Sequence, residues 1–293
     1  MNNINWYPGH MKKTRELIES NLKLVDLVIE VVDARVPVSS RNPLIDQLVA
    51  GKKRIIVLNK SDLADPGANE EWERAFSKAD GLALQMNCMQ GEGLARLFRL
   101  LERLQQEKDS QRALKKPLRM MIVGVPNVGK SSLINRMTGR KSAKTGDKPG
   151  VTRGKQWLAL KNGMQLLDTP GILWPKFEDP RIGLALAFCG SIRDEIMDAS
   201  ELALALIGVL QRTYPALLMS RYKLETLSET PLENMEAIAK KRGFILGGGR
   251  IDYERCARTL LDEFRSGRIG RITLERAGDM GAEDKGAVEG EEK

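Results

Sequence analysis

Residues 124–131 read GVPNVGKS, and their setting decides how the chain is read. An apolar run, LRMMIVG (118–124), leads into them, and a helix-like run, SLINRMTG, leads away. The GxxxxGK[ST] pattern thus lies between a strand and a helix, the context that separates a phosphate loop from a chance glycine turn. Gly124 and Gly129 permit a backbone that turns successive N–H groups inward, Lys130 reaches terminal phosphates, and the Ser131 hydroxyl suits Mg²⁺. Asn127, Val128 and Ser132 complete the expected set of loop contacts.

Upstream, NKSD (59–62) closes a second apolar run, KRIIVLN (53–59). Asp62, at the carboxyl end of a strand, can accept from the ring N–H and the exocyclic amine of guanine together. Adenine has no such donor pair, so the discrimination is steep. Asn59 is expected at the other edge of the base and Lys60 across its face. Four residues alone often mark an exposed turn, but beside a phosphate loop they imply a guanine nucleotide.

Downstream, DTPG (168–171) closes MQLLD (164–168). Asp168 is the expected Mg²⁺ partner, and the Gly171 amide is the expected sensor of the γ-phosphate. Thr152, in KPGVTRG, completes the Mg²⁺ shell in the triphosphate state.

The order of these motifs is unusual, because NKSD precedes the phosphate loop. Either NKSD is accidental, or the chain is a circular permutant joined across the polar stretch EKDSQRALKKP (107–117). Opening the chain between DTPG and NKSD would set both new ends beside the switch region.

Four runs, VDLVIEVVD (25–33), KRIIVLN, LRMMIVG and MQLLD, have the near-continuous hydrophobicity of strands buried on both faces of a parallel sheet. Helical stretches at 12–23, 43–50, 70–79 and 94–107 alternate with them, and LALQMNC (82–88) offers a further strand. The alternation predicts an α/β domain, doubly wound and mostly parallel, over residues 1–180. Residues 181–276 read as a smaller all-helical domain, in which Tyr253, Cys256, Ala257, Leu260 and Phe264 share one helix face. Residues 277–293, acidic and without large apolar side chains, are expected to be disordered.

No apolar run of about 18 residues occurs, and the N-terminal MNNINWYPGHMKK lacks a signal-peptide core. A soluble, unexported protein follows as the expectation. Three scattered cysteines and a single histidine exclude a disulfide framework and a zinc site. The net charge is +8, although the last 17 residues hold six acids against two lysines, so the body is more basic than the whole. Basic residues gather from Arg136 to Lys155 and from Lys240 to Arg271, as for nucleic acid or merely a wet helix face.

NWYPGHM (5–11), DAR (33–35), NKSD, GVPNVGKSSLIN, KPGVTRG and DTPGIL together resemble the circularly permuted GTPases of ribosome assembly, within them the ribosome biogenesis GTPase A (YlqF-type) group. The resemblance is dense over residues 5–180 and loose beyond. It implies binding and hydrolysis of GTP and a cytoplasmic or organellar role in maturing the large ribosomal subunit. The partners implied are rRNA and ribosomal proteins, with the helical domain contacting RNA.

A further family motif falls at NCMQGEG (87–93), where Asn87 and Cys88 replace the usual Ser-Ala, leaving a backbone contact to the guanine oxygen. Ile172 follows DTPG, where many GTPases carry a water-orienting glutamine. The resemblance points instead to His10 as the catalytic residue; a structural role in an aromatic N-terminal segment is the alternative. Asn127 resembles the asparagine that accompanies a K⁺ site in some of these enzymes. A GTP-dependent binding switch on a non-ribosomal protein complex, with little intrinsic turnover, is the competing function.

Overall fold

The computed structural model of the chain describes residue 16 and residues 18–49, 51–111, 113–139, 156–160, 162–168, 179–192 and 197–278. They fall into two compact units. One holds the described residues up to 168 together with 275–278, and the other those between 179 and 274.

In the first unit, helix α1 (18–22) leads to β1 (Leu27–Asp33), α2 (Pro43–Leu48), β2 (Lys53–Asn59), α3 (Pro66–Asp80), β3 (Ala83–Gln85), α4 (Leu94–Ser110), β4 (Arg119–Val123), α5 (Lys130–Thr138), β5 (Gln156–Ala159) and β6 (Gln165–Asp168). The described strands form one sheet in the order β3-β2-β1-β4-β6-β5. All neighbours are parallel except β5, which runs antiparallel to β6. Every residue of β1 is buried, as its near-continuous apolar run requires of a central strand covered on both faces, Glu30 and Asp33 included.

Strand β5 was not expected. QWLA is four residues long and offers neither an apolar run nor a regular alternation, so only its pairing with β6 declares it. Helix α3 begins at Pro66, four residues before the expected stretch 70–79, because the Asp65 carboxylate caps the Ala68 amide at 3.0 Å and Pro66 needs no acceptor for a missing N–H.

Two apolar clusters complete this unit. Ile18 and Leu22 of α1 and Ile45 of α2 join Val28, Met121 and Leu167; Trp72 and Phe76 of α3 join Val32, Ile56 and Leu58. Each such buried aliphatic or aromatic side chain contributes about 1.5–3 kcal/mol. Ala277, the first residue of the expected acidic tail, packs on the second cluster. The rest of that tail, from residue 279, lies outside the described residues. Just before it, the Glu275 carboxylate accepts from the Val38 and Ser39 amides at 2.6 and 3.0 Å, and the Glu275 carbonyl accepts from the Trp72 indole at 3.0 Å.

The second unit is helical: α6 (Pro180–Phe188), α7 (Ala199–Thr213), α8 (Pro215–Tyr222), α9 (Pro231–Arg242) and α10 (Tyr253–Arg265). Helix α7 packs on α9 and α10. The long apolar run ASELALALIGVLQRTYPALL bends by 117° between α7 and α8, since Pro215 cannot donate into a continuing helix and instead opens α8. Among the described residues no single helix is long and apolar enough to cross a membrane.

Cys256, Ala257, Leu260 and Phe264 of α10 are buried as its periodicity predicts. Tyr253 is not: it is exposed, and its hydroxyl donates to Glu236 at 2.7 Å. Several arginines of the supposed RNA cluster are engaged internally. Arg242 donates to the buried Glu263 at 3.0 Å, Arg265 to the Ala187 carbonyl at 2.8 Å, and Arg255 lies over the Phe244 ring.

Candidate nucleotide-binding site

Parallel strands β1, β2, β3, β4 and β6 run side by side, and the described motifs lie at or just beyond their carboxyl ends. Asn59, the last residue of β2 and buried, joins three of these loops. Its Nδ2 donates to the Val128 carbonyl at 2.6 Å, and its Oδ1 accepts from the Cys88 amide at 2.9 Å. With a donor's partner on one side and an acceptor's on the other, the amide orientation is settled by its surroundings. NKSD and the phosphate loop therefore meet in space although the sequence lists them in reversed order. An accidental NKSD would have no reason to lie there.

Lys60 has left-handed backbone (φ 60°) at the head of the turn that carries Asp62 into solvent. The turn is held by the Leu63 amide on the Lys60 carbonyl at 2.9 Å and the Ser61 amide on the Met86 carbonyl at 3.1 Å. The Lys60 ammonium lies at the fully buried Asp33 carboxylate, which also takes a two-pronged contact from Arg35, Nε to Oδ1 at 2.9 Å and Nη2 to Oδ2 at 2.8 Å. Burial works against ionisation of Asp33, but the Arg35 and Lys60 charges outweigh it and hold the carboxyl well below the usual range. DAR contributed to the family resemblance; its role as the anchor of Lys60 was not foreseen. An Asp and an Arg two apart at the end of a buried strand were the available signal.

The phosphate loop has the backbone its glycines imply. Gly124 (φ 146°) and Gly129 (φ 105°) are both left-handed, and a Cβ at either would collide, with the Val31 carbonyl and with the Asn59 amide respectively. Lys130, buried in the first turn of α5, donates to the Val125 carbonyl of its own loop at 2.6 Å. Val128 is buried, Ser131 and Ser132 are half-buried on the same first turn, and Asn127 is exposed with φ 61°. A glycine-shaped cradle, a lysine folded into it and a serine at a helix N-terminus fit a nucleotide phosphate with its hard cation, for which Ser131 supplies an oxygen of the right chemistry.

The NCMQGEG segment is a defined loop despite its departure from the usual residues. Buried Asn87 accepts at Oδ1 from the Met89 and Gln90 amides, both at 3.1 Å. Arg136 of α5 donates to the Cys88 carbonyl at 3.2 Å and to the Met89 carbonyl, so this member of the basic cluster braces the loop. Burial pushes the Cys88 thiol up to about 12, leaving it a protonated, unreactive wall.

His10, Thr152, Gly171 and Ile172 lie outside the described residues. Asp168 is placed by its backbone at the end of β6, paired in register with Gln156 of β5.

A doubly wound sheet whose NKSD and phosphate loops are locked together by Asn59 defines a P-loop GTPase with permuted motifs. A relative from Bacillus cereus named ribosome biogenesis GTPase A is 43% identical over 282 residues, spanning 95% of both chains. The chain belongs to the ribosome biogenesis GTPase A family and hydrolyses GTP to GDP and phosphate. A family profile described as a 50S ribosome-binding GTPase matches residues 119–235. Similarity extends to the mitochondrial ribosome-associated GTPase 1 of Mus musculus, 36% identical over 92% of this chain and 90% of that one. Among solved structures, GDP-bound YlqF superposes with a TM-score of 0.67 at 30% identity, covering 89% of this chain and 98% of that one.

Proposed function

We propose that this GTPase matures the large ribosomal subunit in the cytoplasm, binding its precursor in one nucleotide state and leaving in the other. The observation that carries this reading is the Asn59 bridge between NKSD and the phosphate loop, which makes the permuted motif order a working site and so supports the kinship with ribosome-named relatives. Mg²⁺ is assigned to Ser131, Thr152 and Asp168, with the Gly171 amide reading the γ-phosphate and Asp62 the base. The ion supplies charge neutralisation at the phosphates; the chain's residues orient the nucleotide and the attacking water.

Ile172 has no group to hold that water. His10 is assigned that task, and Asn127, exposed at the tip of the phosphate loop, the binding of K⁺. Residues 181–276 are assigned rRNA contacts and 277–293 the role of an acidic tail. Co-sedimentation of the chain with large-subunit precursors in GTP and in GDP, at moderate salt, tests the role. Retention in the GTP state is expected. The absence of retention in both states leaves the competing reading, a binding switch on a non-ribosomal complex, which Ile172 favours.

A further inference from the structure

The nucleotide loops occupy one end of the sheet; the other end holds a second concave surface. Where β1, β2 and β4 begin and α4 ends, a cleft of about 490 Å³ is lined by Lys23, Asp26, Lys52, Lys108, Lys116 and Arg119. Strand β1 spans seven residues, which sets the cleft about 20 Å from the nucleotide loops at roughly 3.3 Å per residue.

Four lysines and Arg119 line a cleft that holds one carboxylate, and that carboxylate is spent; the Arg119 guanidinium donates to Gln165 at 2.9 Å. Asp26 accepts from the Lys108 ammonium at 2.6 Å and from the Arg119 amide at 3.0 Å. Lys108 also donates to the Pro117 carbonyl at 2.8 Å, and Lys52 to the Val25 carbonyl at 2.9 Å. These two ammonium groups are thereby fixed at the floor, each with N–H capacity left over. Lys23 and Lys116 stand exposed at the rim. So many like charges around one neutralised acid repel one another, an arrangement that an incoming polyanion relieves. Beside them, the Arg119 guanidinium lies 5.1 Å from the ring centroid of Trp157, an exposed tryptophan on the edge strand β5.

We propose that this cleft is an RNA-binding site on the nucleotide-binding unit, taking the phosphate backbone of an unpaired segment while one base stacks at Trp157. The proposal rests on the ribosomal reading above for the source of the RNA. The chemistry favours a strand over a compact polyphosphate. No glycine cradle lines the cleft, and most of its charge is carried by lysines, point charges spread along the groove that do not fork onto a single phosphate. An exposed aromatic next to a basic groove is the arrangement that holds single-stranded nucleic acid.

The test uses the full chain and a short fluorescein-labelled single-stranded RNA, titrated by fluorescence anisotropy between about 50 and 200 mM salt. Lys23→Glu combined with Lys116→Glu should weaken binding at least tenfold and lower the salt slope by roughly one to two. Trp157→Ala should weaken binding about fivefold or more without changing the slope. GTP affinity, unchanged in each variant, certifies folding. Unaltered RNA affinity and slope in the double variant would overturn the proposal, as would inorganic pyrophosphate binding the cleft more tightly than the RNA does. Co-sedimentation of the wild-type chain with large-subunit precursors separates the two readings. Retention by precursors with RNA binding indifferent to the cleft sinks this site alone; cleft-dependent RNA binding without retention sinks the assembly role alone.

Discussion

The Lys60 ammonium stands 2.8 Å from the Asp33 carboxylate, so the NKSD loop is fastened by charge to the end of strand β1. Asp33→Asn removes the counter-charge of both Lys60 and the buried Arg35, and should cost about 3–5 kcal/mol. The folded carboxyl titrates below its ordinary value of 3.8, so its contribution is complete above that pH and is lost as the pH falls beneath it. Thermal melts from neutral pH downward should show a wild-type decline below about pH 4 that is shallower in Asp33→Asn.

Asn59→Ala leaves the Val128 carbonyl and the Cys88 amide without partners in a dry setting. At about 1–3 kcal/mol for each group, GDP affinity should fall on the order of 100-fold or more. Asn59→Asp keeps the acceptor for Cys88 but sets an anion against the Val128 carbonyl, and should bind no better than the alanine variant. Titration with a fluorescent GDP analogue measures both.

Gly129→Ala should abolish nucleotide binding, because the new methyl meets the Asn59 amide at a left-handed φ. Gly247→Ala is the matched control, with no neighbour within 4 Å and no left-handed backbone. Its melting temperature and GTP affinity should match wild type, and a comparable loss in both variants would contradict the cradle.

Glu275→Ala releases the Val38 and Ser39 amides and loosens the chain over Trp72. A loss of about 1–3 kcal/mol is expected from unpaired donors. Urea melts followed by tryptophan fluorescence, together with faster proteolysis near residue 275, would record it.

Turnover carries the remaining assignments. His10→Ala should retain GTP affinity and lose the hydrolysis stimulated by ribosomal particles, while KCl should support faster turnover than NaCl. Equal rates in the two salts would remove the K⁺ assignment to Asn127, and undiminished stimulated hydrolysis would remove His10.

The central sheet was legible because β1, β2, β4 and β6 are apolar runs that leave only one environment open to them. Edge strand β5 was not, since QWLA owes its conformation to β6 and not to its own composition. The phosphate loop and NKSD were legible as residue types at fixed spacing. Side chains that reach across the fold were not: nothing local assigns Arg136 to the carbonyls of Cys88 and Met89, or Asp33 to Lys60. Charge counts in the helical unit include cations with internal partners for the same reason, since Arg242 and Arg265 are committed to Glu263 and to the Ala187 carbonyl.

The sheet order also sets a timetable for synthesis. Strand β1 takes β2 on one side early, but its other neighbour is β4, which is translated only after β2, α3, β3 and α4. For some seconds at ordinary elongation rates the nascent chain carries a largely apolar strand with one open edge. Such an edge invites chaperones or a wrong partner. The nucleotide cannot help close it, because half of its pocket has not yet left the ribosome.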